Sequence, residues 1–194
     1  MRFEIVFHTP FRVSSGQAGD GSDTTVDRAA LLPASSLKGV MLSAARDLLK
    51  FPQSQIEAVF GTAQHESPWG WSDAAMTEEA SIRPRTRIRI EQDTGTVAKG
   101  ALLIADEVLA ARAEFSIDRI GWVEAGQEGV HEIVLLAAAR SVTAVGGDRR
   151  RGSGWVTVAP VEPPWSGAHL RAAAALAGTG DPAAAAGPGA GGDR

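Results

Sequence analysis

The 194-residue chain contains no cysteine, no tyrosine and no asparagine, and lysine supplies only three of its 19 basic residues (Lys38, Lys50 and Lys99). Without cysteine there is no disulfide framework and no thiolate metal site. No apolar run reaches the length of about 20 residues that a membrane-spanning helix needs. Met1-Arg2-Phe3-Glu4 also places charge where a signal core would lie. The expectation is a soluble cytoplasmic protein with no membrane partner. The formal charge of −4 excludes a generally adhesive basic protein. From residue 166 to 194 large apolar residues almost vanish in favour of Ala, Gly and Pro. Such a stretch cannot offset its own ordering entropy, which predicts a flexible tail holding at most a helical turn at Ala172 to Leu176. Residues 1–165 are then the single folded domain.

Within that domain Phe3, Ile5 and Phe7 alternate with Arg2, Glu4 and Val6, a strand with one buried face. A polar connection from Ser14 to about Arg28 leads to the clearest helix, about Leu37 to Lys50, with Ser35 or Ser36 as its cap. Leu37, Val40, Met41, Ala44, Ala45, Leu48 and Leu49 form its apolar face, and Lys38, Arg46 and Lys50 share an arc of about 120° on the other side. A short helix spans Ser54 to Phe60. Strands follow at Trp69 to Ala75 and Ile82 to Glu91, then an Asp93-Thr94-Gly95 turn. Lys99 to Leu109 is apolar enough to pack, and Glu114 to Val123 reads as a strand. A second helix, Val130 to Val145, stops at Gly146, and a last strand covers Trp155 to Ala159. This order is the ferredoxin-like (RRM-like) βαββαβ plan of an α+β fold, with helices on one face of the sheet.

Three stretches could carry chemistry. The first is Gly146-Gly147-Asp148-Arg149-Arg150-Arg151-Gly152-Ser153-Gly154-Trp155. Its glycines let an anion approach the backbone, and its guanidinium forks match phosphate oxygens. The bland alternative is a tight turn with solvated arginines. It is not a nucleotide-hydrolysing loop, because the Lys-Ser/Thr ending is absent and the helix precedes it. The second is Arg83, Arg85, Arg87 and Arg89 at alternate positions. In an extended chain they point the same way about 6.6 Å apart, comparable with the roughly 6–7 Å between phosphates of a stretched single strand. The alternative is a strand face kept charged against edge pairing. The third is Asp20, Asp23 and Asp27 in the polar connection, which could hold hydrated Mg²⁺ or simply form turns. His8, His65, His131 and His169 are scattered without zinc-site spacing, and only His8 lies near a possible site.

Leu32-Pro33-Ala34-Ser35-Ser36-Leu37-Lys38-Gly39 resembles the IPGSSLKG entry to the first helix of the RAMP superfamily of CRISPR-associated proteins. Arg87 to Glu107 resembles that family's strand, acidic-Thr-Gly turn and Lys-Gly-Ala-Leu continuation. Gly146 to Trp155 looks like its glycine-rich RNA-binding loop. Within the family the chain is most similar to the repeated backbone subunit of type III effector complexes. The resemblance implies a modified ferredoxin-like fold with a protruding thumb hairpin, here residues 76–99. It implies guide RNA, complementary target RNA, further copies of the chain and other CRISPR effector subunits as partners. Asp23-Thr24-Thr25-Val26-Asp27-Arg28 matches the family's Asp-x-Pro-Val/Ile-x-Arg loop, so Asp23 becomes the candidate catalytic and metal-binding residue for Mg²⁺-dependent endonuclease cleavage of target RNA. Thr25 stands where that pattern has proline.

The RNA-binding set expected from these readings is Lys38, Arg46, Arg83, Arg85, Arg87, Arg89, Arg149, Arg150, Arg151, Gly152 and Gly154. Two other functions remain open: a guide-binding structural subunit without nuclease activity, and a metal-independent processing nuclease for precursor guide RNA using a histidine such as His8. A generic single-stranded RNA-binding domain is the fallback.

Overall fold

The computed structural model describes residues 1–18, 22–91, 93 and 95–178; Asp20, Thr94 and the chain after 178 lie outside the described residues. In chain order the first elements are β1 (Arg2–Phe7), α1 (Ala34–Ser43, continued by a wider turn Ala44–Leu48), α2 (Gln53–Phe60), β2 (Trp69–Trp71) and β3 (Ala75–Met76). Then come β4 (Ser81–Ile90), β5 (Val97–Leu109), β6 (Arg112–Arg119), α3 (Glu128–Arg140), β7 (Val156–Glu162) and α4 (Gly167–Gly178).

The alternation in β1 buries Phe3, Ile5 and Phe7. Two pairable edges and one apolar face place β1 in the middle of the main sheet, antiparallel to β6 on one side and β7 on the other. The order β2-β6-β1-β7, with β3 also on β6, is the ferredoxin-like arrangement expected from the element order. Phe3 stacks on Phe115 of β6 at 4.8 Å. The same core takes in Leu37 and Met41 of α1 and Val134, Leu135 and Ala138 of α3. Each large side chain buried in this way contributes about 1.5–3 kcal/mol.

Helix α1 starts earlier than expected. Ser35 and Ser36 lie inside its first turn, and the cap position is Pro33, which makes no side-chain cap. Asp73, from the β2–β3 connection, instead accepts the Ala34 N–H at 2.8 Å. A tertiary carboxylate thus replaces the local serine, which spacing alone does not reveal. At the other end the helix widens, the Leu49 N–H reaching back five residues to the Ala44 carbonyl at 2.9 Å.

β4 and β5 form a separate two-stranded hairpin that leaves the main sheet. It runs from Ser81 to Leu109 and overlaps the 76–99 span expected for the thumb, with Lys99 to Leu109, apolar enough to pack, lying in its second strand. Its base is fixed by Phe11, which exchanges both backbone hydrogen bonds with Val108 at 3.0 and 2.8 Å. Farther out Ile88, Ile90, Val97 and Leu102 are exposed.

Where the sequence predicts flexible chain, Gly167–Gly178 forms α4. Its small residues permit close approach, so Ala173 is buried in the domain core. Trp165 before it carries the Arg140 guanidinium of α3 over its ring at 5.7 Å. Among the described residues no helix is long and apolar enough to cross a membrane.

Candidate nucleic-acid interface

The segment between α3 and β7 turns on four residues with positive φ: Gly146 (75°), Asp148 (57°), Gly152 (79°) and Gly154 (74°). Two of these glycines are required for space as well. A Cβ at Gly146 would run into the Arg12 carbonyl, and one at Gly154 into that of Val145. The stem is sewn to the chain leaving β1: the Gly147 N–H donates to the Arg12 carbonyl and the Gly154 N–H to the Pro10 carbonyl, both at 2.8 Å. The buried Ser153 hydroxyl also donates to Pro10, at 3.0 Å. On this rigid rim Arg149–Arg151 forms a single 3₁₀ turn.

Arg149 and Arg150 are exposed, and among the described residues neither forms a salt bridge, while Arg151 reaches Asp148 only at 3.9 Å. Adjacent unpaired guanidinium groups repel each other, and a polyanion relieves that repulsion.

Asp148 turns inward. Its Oδ2 accepts from Arg12 Nη2 at 2.7 Å and forms an ion pair with Arg87 Nη1 at 2.6 Å. Arg87 in turn lies 3.5 Å from Glu107 Oε1, and Arg85 donates to the same buried carboxylate at 2.9 Å. The hairpin, the loop and the chain after β1 therefore share one charge network. Of the alternate arginines of β4, Arg85 and Arg87 are engaged within the protein and Arg83 is exposed. The Arg89 side chain lies outside the described residues.

Beside the Gly-Arg loop lies a cleft of about 800 Å³ lined by His8, Ser43, Asp47, Arg149, Arg150 and Trp155 among others. A smaller cleft of about 270 Å³ joins Ser36, Gly39 and Ser43 of α1 to Gly146, Gly147 and Arg149. Lys38 and Arg46 line neither of them. Lys38 stands over the Trp71 ring at 5.2 Å, and Arg46 forms a fork with Asp47 at 2.9 and 3.0 Å. Hydrogen bonds from Arg46 and then Ser43 hold the Asp47 carboxyl down to about 2, and Asp47 holds the Arg46 guanidinium above its ordinary value. His8 Nε2 lies 2.8 Å from Thr157 Oγ1.

Asp23 stands beside the hairpin. Its N–H donates to the Ile104 carbonyl and its Oδ2 accepts the Ile104 N–H, each at 2.8 Å. The Asp106 N–H then donates to the Thr24 carbonyl at 3.0 Å, so the aspartate loop runs along β5. Thr25, where the family pattern has proline, donates its N–H to Gln17 at 3.1 Å, a bond that proline would lack. Asp27 Oδ1 accepts the Ala29 N–H at 2.8 Å as a turn former. Among the described residues no group of three His, Cys, Asp or Glu side chains could hold a metal ion.

Sequence reasoning passed over Arg12 and Glu107, and gave Asp148 and Trp155 no role of their own within the Gly146–Trp155 run. Only Asp148 carried a local signal, being an aspartate in a turn that requires left-handed backbone.

A family model of the RAMP superfamily matches residues 4–157, and the chain belongs to that superfamily, as its motifs imply. Among solved structures it is similar to a chain of type III-B Cmr-beta in the apo state. That chain is 16% identical with a TM-score of 0.67, and the match covers 83% of this chain and 96% of the other. A chain of type III-B Cmr-beta bound to cognate target RNA is 14% identical with a TM-score of 0.65, over 81% and 95%. These likenesses establish the fold. Among curated proteins none matches in sequence.

Proposed function

We propose that this chain is a backbone subunit of a type III CRISPR effector complex that holds guide RNA on the Gly146–Gly154 loop and cleaves bound target RNA beside Asp23. The observation that carries the reading is the rigid rim presenting Arg149 and Arg150 as exposed cations without salt-bridge partners among the described residues. Superfamily membership supports it, as does a shared fold with a Cmr-beta structure described as bound to target RNA. Guide pairing reads sequence in such complexes, so the subunit needs only backbone contacts, which arginines and open glycine backbone supply. The apolar outer hairpin, with Ile88, Ile90 and Leu102 exposed, fits burial against further copies of the chain, other effector subunits or the RNA.

Cleavage needs the RNA 2′-hydroxyl in line with the adjacent phosphate. Asp23, fixed by two bonds to Ile104, keeps one carboxylate oxygen outside the Ile104 contact for orienting a hydroxyl or holding a cation. Mg²⁺ commonly takes one or two carboxylates and leaves its other positions to water and phosphate. The single carboxylate of Asp23 fits an ion held mainly by RNA. Such an ion, when bound, neutralises charge on the scissile phosphate.

The Ile104 N–H bond to Asp23 Oδ2 also favours a second reading, a guide-binding subunit in which Asp23 only shapes the loop. Asp23→Ala in the assembled complex separates the two. Loss of target cleavage with RNA still bound supports catalysis, whereas undiminished cleavage assigns Asp23 to structure. Cleavage that survives a chelator and disappears with His8→Ala would instead favour the processing nuclease.

A further inference from the structure

We infer that the cleft between the widened end of α1 and the Gly-Arg loop seats one unstacked nucleotide of single-stranded RNA, with its base on Trp155 and its phosphate on Arg149 and Arg150. The inference rests on the RNA-binding reading and adds an aromatic platform to it.

Trp155 is 53% exposed although the next residue, Val156, is buried in the core. Its backbone is fully used, the N–H donating to Thr9 Oγ1 at 2.9 Å and the carbonyl accepting from the His8 N–H at 2.8 Å. The backbone that carries the indole at the cleft wall is thus fixed by main-chain bonds that do not depend on the side chain. An indole on that fixed backbone has only two side-chain torsions to order against a planar ligand, a small entropic cost. The cleft, at about 800 Å³, falls within the roughly 300–1,000 Å³ of ligand-sized sites.

The lining also sets an orientation. Arg149 and Arg150 are the cationic groups, while Asp47, held anionic by Arg46 and Ser43, lies on the α1 wall. A phosphate is drawn to the arginines and repelled by Asp47. Sugar hydroxyls and base amino groups, which donate hydrogen bonds, meet Asp47 and Ser43 instead. His8, tied to Thr157, borders the same space. Aromatic stacking combined with arginine contacts to phosphate is the chemistry of single-stranded nucleic-acid sites. A nucleotide paired in a duplex would not free its face for the indole.

The test measures binding of the full chain to a single-stranded RNA oligonucleotide carrying 2-aminopurine, over a series of salt concentrations. Trp155→Ala is expected to weaken binding roughly 5- to 150-fold, the range of one base–aromatic stack. It should also relieve 2-aminopurine quenching while leaving the salt slope unchanged. Trp155→Phe should retain most of the affinity, and Trp155→Leu should behave as alanine. Trp122→Ala, at an 82% exposed indole outside the cleft, should match the wild type. If Trp155→Ala or Trp155→Leu binds as well as the wild type, there is no stacking platform. If Arg149→Ala and Arg150→Ala flatten the salt slope in that case, the RNA-binding reading survives alone. A wild-type chain that binds no RNA overturns both.

Discussion

Arg87 Nη1 on the β4–β5 hairpin lies 2.6 Å from Asp148 Oδ2 in the Gly-Arg loop, and the two side chains are only 19% and 20% exposed. This contact joins two parts of the chain that sequence alone treats as separate RNA-binding patches. It also divides the arginines by role. Arg87 ties the hairpin to the loop, Arg12 ties the chain after β1 to the same carboxylate, Arg85 pairs with Glu107 within the hairpin, and Arg149 and Arg150 face outward.

Replacing Asp148 by asparagine keeps a residue that tolerates left-handed backbone but leaves Arg12 and Arg87 without their shared carboxylate. Loss of about 2 kcal/mol of stability is expected, the size of a partly buried charged hydrogen bond. Urea denaturation measures it, and an unchanged midpoint would mean the network carries no stability.

The glycines of the loop differ in what they tolerate. Gly146→Ala and Gly154→Ala place a Cβ against a backbone carbonyl at positive φ and should cost about 3 kcal/mol or more each. Gly152→Ala, with open space around it, should cost about 1 kcal/mol. Equal destabilisation at all three positions would contradict the packing described for the stem.

Salt dependence separates the outward cations from the structural ones. Arg149→Ala and Arg150→Ala should each reduce the slope of log K against log salt by about 0.7 for single-stranded RNA. Arg87→Ala should leave the slope nearly unchanged while lowering stability, since its charge is spent on Asp148 and Glu107.

His131 is buried and accepts the Trp69 indole N–H at Nδ1 at 3.1 Å, an interaction of the neutral ring. Burial pushes its pKa below the ordinary 6.5. The unfolded chain therefore binds a proton before the folded one, so stability falls as pH drops through 6.5 and levels off below the lowered value. Denaturation midpoints between about pH 7.5 and about pH 5.5 should follow that course and flatten in His131→Gln. An identical pH course in the variant would remove His131 as the cause.

Much of the fold was legible because its signals are local. The alternation of Phe3, Ile5 and Phe7 and the apolar face through Leu37 and Met41 report burial directly, and both lie in the core. The Gly-Arg loop was legible for the same reason, since its backbone requirement and its charge lie in adjacent residues. What could not be read depends on distant partners. Asp73 caps α1 from 39 positions away, and Asp23 is fixed by Ile104, 81 positions along the chain. The inward turn of Arg87 depends on Asp148 and Glu107, neither of them near it in sequence. α4 was missed because a run of alanines lacks the large side chains that advertise burial. Small residues are nevertheless what allow Ala173 to approach the domain core.

The central claim is that the Gly146–Gly154 loop holds guide RNA, and the RNA that co-purifies with the full chain tests it most directly. Sequencing that RNA should give a discrete guide-like species that is lost when Arg149, Arg150 and Arg151 are all replaced by alanine. Recovery of no RNA, of a random cellular mixture, or of the same species from the triple variant would contradict the account.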